Sequence, residues 1–139
     1  MRICVVDGLG GGMGAALIRR LKEVYLEEHE VIALGTNPLA TAQMMKARAN
    51  RGASGENAIV HTVPTADFIL GSISIVLANA MMGEVTPRMA AAVASAPGRK
   101  ILLPLTRAKV EIIGVTVEPL PHLVDKVVTE RLKELLNNV

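Results

Sequence analysis

Aromatic side chains are almost missing from this chain, whose 139 residues include one Tyr, one Phe and no Trp. Nucleic-acid bases would find little to stack on, and a formal charge of +2, dispersed along the chain, builds no basic stripe for a phosphate backbone. No nucleic-acid partner is expected. Cysteine is equally scarce: Cys4 alone excludes a disulfide framework and fits a reducing cytoplasm. Its place in the apolar run Ile3 to Val6 marks it as core filler. That run is too short for a secretory signal and ends at the charged Asp7. Long hydrophobic runs are lacking too. The best, FILGSISIVLANAMMG from Phe68 to Gly83, would reach about 24 Å as a helix, short of the roughly 30 Å hydrocarbon core. It reads as buried, and no membrane partner is expected.

Several catalytic signatures are absent as well. No His, Cys and carboxylate spacing suggests a metal. Ala15 and Ala16 follow Gly14 where a Walker loop would carry Lys and a hydroxyl. Ser54, in GASG, lacks the context of a nucleophile elbow.

What is present is a chain 50% apolar and 20% charged, enough for one domain over residues 1–139 with a sizeable core. RICVVD, Arg2 to Asp7, reads as a strand buried on both faces. An amphipathic helix from Met13 to about Glu28 follows, with Leu17, Ile18, Leu21 and Val24 on its inner face. Val31 to Leu34 is a second strand. Asn37 and Pro38 then supply an N-cap and first turn for a helix to about Asn50.

RGASGEN reads as a loop, Ala58 to Val63 as a third strand, and Gly71 or Ser72 as the start of a long apolar helix ending near Gly83. Thr86 and Pro87 open a short helix, Arg88 to Ala96. Ile101 to Leu105 is a fourth strand. Val110 to Val115 is expected as a hairpin partner or sheet-edge strand, because TRAK is too short for a parallel crossover. A helix from about His122 to Asn137 closes the chain, with an apolar stripe for the sheet or another subunit. Strands alternating with helices predict an α/β domain: a mostly parallel sheet of about five strands with helices on both faces.

DGLGGGMG, Asp7 to Gly14, places five glycines in eight positions in the loop after the first strand. In open α/β sheets that loop faces the crevice where ligands bind. Bare backbone lets anionic oxygens approach amides at a helix N-terminus. One or two of the glycines are explained by a tight turn or close packing. Five are harder to explain so, since each costs roughly 0.5 to 1 kcal/mol against alanine in ordinary conformations. Gly8 and Gly10 would put the third glycine of a G-x-G-x-x-G fingerprint at Met13. The looser spacing through Gly8, Gly12 and Gly14 fits, and it resembles the phosphate loop of short-chain dehydrogenase folds. The acid that normally holds a nicotinamide ribose is missing after the second strand, where Gly35, Thr36 and Asn37 stand.

The expected ligand is a phosphorylated or carboxylated small molecule, or a nucleotide. Asp7, Gly8, Gly10, Gly11, Gly12, Met13, Gly14, Thr36 and Asn37 are its candidate binding residues. Asp7 has an equally simple role, holding the loop's own amides. Arg107 and Lys109 make the same edge partly cationic, Arg48 or Arg51 is placed to meet an extra phosphate, and His61 with Asp67 forms a candidate acid/base pair. The alternative is an oxidoreductase using NADP or another dinucleotide, completed by homo-oligomerisation because the chain has no residues left for a substrate domain. A third reading is an assembly subunit that associates through its apolar helices. VVDGLGGGMG, ALGTNPLATAQMMKARANRGASGENAIV, ILGSISIVLANAMMGEVTPRMAAAV and KILLPLTRAKVEIIGV together resemble an uncharacterised family of small bacterial proteins, a domain of unknown function. The resemblance implies a cytoplasmic protein with a Rossmann-like core, and carries no catalytic residues.

Overall fold

Runs of apolar residues with side chains alternating across the chain form the centre of this protein, whose computed structural model describes residues 1–138. The strands are β1 (Arg2–Asp7), β2 (Glu30–Gly35), β3 (Arg51–Ser54), β4 (Phe68–Ser72) and β5 (Arg99–Leu103). They form one sheet, all parallel, in the order β3-β2-β1-β4-β5. The helices are α1 (Gly12–Tyr25), α2 (Pro38–Lys46), α3 (Glu56–Thr62), α4 (Pro87–Ser95), α5 (Leu120–Asp125) and α6 (Leu132–Asn137).

Alternation along β1 divides the core in two. Ile3 and Val5 face α1, Met44 of α2 and the C-terminal residues Val127, Val128 and Leu132. Cys4 and Val6 face the other way, toward Ile59 of α3 and Met89 and Val93 of α4. The result is the expected three-layer, Rossmann-like α/β architecture, with the parallel sheet buried between helices. Burial pushes the Cys4 thiol up to about 11, which suits an inert filler.

Local chemistry explains the helix starts. The Asn37 side chain accepts from Ala40 N at 2.8 Å, ahead of Pro38, and Thr86 Oγ1 accepts from Met89 N at 3.1 Å. α1 and α2 stop earlier than their apolar patterns suggest, and residues with positive φ follow them: Leu26 at φ 53° and Arg48 at φ 83°. The closing helix bridges α5 and α6 through a π-helical stretch, Lys126–Arg131. There the Tyr25 hydroxyl donates to the Val128 carbonyl at 2.7 Å, tying this helix to α1.

Four expectations are corrected. Ala58 to Val63 lies in helix α3 and the turn after it, with Ile59 and Val63 four residues apart and both buried. The missing strand is β3, inside RGASGEN; as an exposed edge strand it carries no apolar pattern to read. The apolar run after Phe68 is not a long helix. It supplies central strand β4, then a 3-10 turn over Ile73–Val76, then a loop closed by its own bonds, among them Asn79 N to Val85 O at 2.7 Å. Val110 to Val115 pairs with no strand and lies exposed. Among the described residues no helix is long and apolar enough to cross a membrane.

Candidate functional site

The chain lays β2 and then β3 to one side of β1 and crosses back to place β4 and β5 on the other side, so the strand order reverses between β1 and β4. A crevice opens at the carboxyl ends of strands at such a switch point. Here it is a cleft of about 740 Å³, with the glycine loop on one wall and the Leu105–Ala108 segment after β5 on another. Residues Asn79 to Met82 cover part of it, and Ser72 and Ser74 line its base at the end of β4. This volume falls in the range of small-molecule sites.

Asp7 closes β1 and is 5% exposed. Its carboxylate accepts from Gly8 N at 2.8 Å and from Gly14 N at 2.7 Å. Burial raises the carboxyl above its ordinary value, opposed by the amides of Gly14 and Gly8. Asp7 thus spends both oxygens on the turn, and it leaves the amides of Gly10 and Gly12 without an acceptor among the described residues.

The glycines divide into two sets. A methyl group on Gly8 would lie 2.5 Å from Thr36 Oγ1, and one on Gly14 would lie 2.5 Å from Met44 Sδ. Gly11 has φ 76°, and its added methyl would lie 2.7 Å from the Ala40 carbonyl oxygen. These three let the loop pack against β2 and α2. At Gly10 and Gly12 an added methyl would meet nothing within 4 Å, and both residues are exposed on the cleft wall with Met13 half-buried beside them.

Thr36 and Asn37 are held elsewhere than in the cleft lining. Glu84 Oε1 accepts from Thr36 Oγ1 at 2.6 Å, Asn37 Nδ2 at 2.8 Å and Leu9 N at 2.9 Å. Burial pushes its carboxyl up, but the bonds from Thr36, Leu9 and Asn37 outweigh it and hold Glu84 below the ordinary value. Asn37 also donates to the Leu9 carbonyl at 2.9 Å. Glu84 therefore clasps the β2 side of the glycine loop, a role the sequence reading placed no further than a turn before Thr86.

Arg107 lines the cleft and has no carboxylate partner among the described residues. Lys109 lies outside the lining. Arg48 and Arg51 belong to the sheet's opposite edge, where Arg51 pairs with Glu30 at 3.1 Å and Arg48 approaches Glu27 at 3.9 Å. His61 and Asp67 are corrected likewise. His61 ends α3, and the Asp67 carboxylate accepts from Arg2 N at 2.8 Å at the start of β1. Neither they nor any other histidine lines the cleft. Among the described residues no group of acidic, His or Cys side chains is placed to hold a metal.

Sequence reading missed Ser72, Ser74, Met81 and Met82 because the segment looked helical. Asn79 and Gly83, both turn formers with positive φ, were the available signal. No curated protein and no solved structure matches the chain. A family model does match residues 2–136, and the chain belongs to that family, Domain of unknown function (DUF3842).

Proposed function

We propose that this protein binds a phosphorylated or carboxylated small molecule, with the anionic group on the glycine loop at the β1 and β4 switch point. One observation carries the reading: Gly10 and Gly12 leave unpartnered amides and open space on the wall of a cleft that also holds an unpaired Arg107. Amides at the start of a 14-residue helix attract anions, and a guanidinium adds directional bonds to a phosphate or carboxylate.

Thermal shift with inorganic phosphate, phosphorylated metabolites and NADP tests it. A ligand at 100 times its dissociation constant adds roughly 2.7 kcal/mol. Gly12→Val fills open space and is expected to fold while losing the shift. A library that shifts neither protein, or shifts both equally, rejects the reading.

The strand order and the glycine loop are shared with dinucleotide-binding folds, which supports a second reading as an oxidoreductase using NADP or another dinucleotide. The Glu84 cluster and the distance of Arg48 and Arg51 from the cleft's edge weigh against it. Cytoplasmic residence and self-association belong to the same proposal; the exposed apolar segment 110–117, with Ile113 96% exposed, is the surface that supports association.

A further inference from the structure

The cleft's walls and its charge ask for different things from a ligand. Its charged lining is Arg107 and Asp7, and Asp7 is committed to the amides of Gly8 and Gly14. The free charge is therefore a cation, and it shares the cleft with the unpartnered amides of Gly10 and Gly12. Much of the remaining wall is apolar, from Leu9, Met81, Met82 and Leu105.

Three of those apolar residues sit where side chains rarely do. Leu9, Met81 and Met82 have φ of 50°, 56° and 58°, backbone that large L side chains rarely adopt. Met82 is 96% exposed, so folding gains almost no burial there in return for that strain, and Leu9, 38% exposed, keeps part of its side chain open to the cleft. Backbone strain at residues whose side chains stay open to a cleft points to a functional surface. Methionine in particular adapts to irregular apolar ligands.

The cleft is also poorly suited to a nucleoside. No aromatic residue lines it, and Glu84 lies outside its lining with Oε1 committed to Leu9, Thr36 and Asn37. We infer, building on the anion-binding reading, that the ligand is an amphiphile: a phosphate or carboxylate head at Gly10, Gly12 and Arg107, carrying a short apolar chain against Leu9, Met81, Met82 and Leu105.

Calorimetric titration of the whole chain tests this with inorganic phosphate, butyl phosphate, octyl phosphate, acetate, octanoate, AMP and NADP. Affinity is expected to climb with chain length, by up to roughly fourfold per buried methylene, making octyl phosphate or octanoate at least about tenfold tighter than its chain-free head. Leu9→Asn, a substitution suited to the left-handed backbone, should lower that ratio several-fold while the thermal midpoint holds or rises. Equal affinity for the chain-free and chain-bearing anions overturns the inference and leaves the anion-binding reading standing. AMP or NADP binding as tightly as octyl phosphate, or a ratio unaltered in Leu9→Asn, also overturns it. Failure of every probe to bind rejects both the inference and the reading beneath it.

Discussion

At the scale of single residues, the glycine loop owes its shape to a division of labour. Gly11 and Gly10 are neighbours with opposite tolerances, because one lies against the α2 backbone at positive φ and the other faces open space. Gly11→Ala is expected to lower stability by about 1–3 kcal/mol through strain and overpacking. Gly10→Ala should stay within about 0.5 kcal/mol of the parent. Urea denaturation of both variants checks the contrast.

Asp7 gives a second residue-scale prediction. Asp7→Asn presents an amide NH₂ where the carboxylate accepted a backbone N–H, leaving a buried donor unpaired at a cost of about 1–3 kcal/mol near neutral pH. The carboxyl's folded pKa stands above its ordinary 3.8, so the native state holds its proton more tightly than the unfolded chain. Stability from this group is complete below pH 3.8 and is lost as pH rises through the folded value. By chemical denaturation, the stability advantage of the parent over Asp7→Asn should therefore shrink as pH rises through that window.

At the scale of elements, the 77–85 loop is the part that tertiary structure decides. Its apolar composition reads as helix, yet its backbone bonds close on themselves and its one carboxylate reaches to Leu9, Thr36 and Asn37. Glu84→Ala should cost about 1–3 kcal/mol and speed hydrogen exchange at the Leu9 amide. The pKa of Glu84 is lowered in the fold, so its contribution is present above the ordinary 4.5 and is lost as pH falls through the folded value. The stability gap between parent and Glu84→Gln should therefore narrow in acid. A flat gap from neutral pH to pH 3 would show that the carboxylate's charge does not hold the loop.

At the scale of the whole molecule, sheet and helices satisfy one another, and segment 110–117 is left over. Ile113 and Val117 are 96% and 90% exposed, a surface that solitary chains rarely leave to water when it is contiguous and apolar. Sedimentation velocity is expected to show concentration-dependent association that Ile113→Glu weakens by tenfold or more. A parent that sediments as a monomer at every concentration rejects this part of the proposal.

The sequence by itself determined the fold class, the first two β-α units, the caps at Asn37 and Thr86, and the glycine loop as the feature to examine. Those features are local: apolar periodicity, capping side chains and glycine spacing act over a few residues. It did not separate strand from helix at Ala58 to Val63, where β-branched residues favour a strand and the need to cross between β3 and β4 decided for a helix. It could not find β3, whose four exposed residues are held by pairing with β2. Nor could it show that Glu84, 75 residues from Leu9 in the chain, is its hydrogen-bond partner. That contact, and the cleft shared by Gly12 and Arg107, exist because parallel strand order brings distant loops to one edge. Only the assembled sheet sets that geometry.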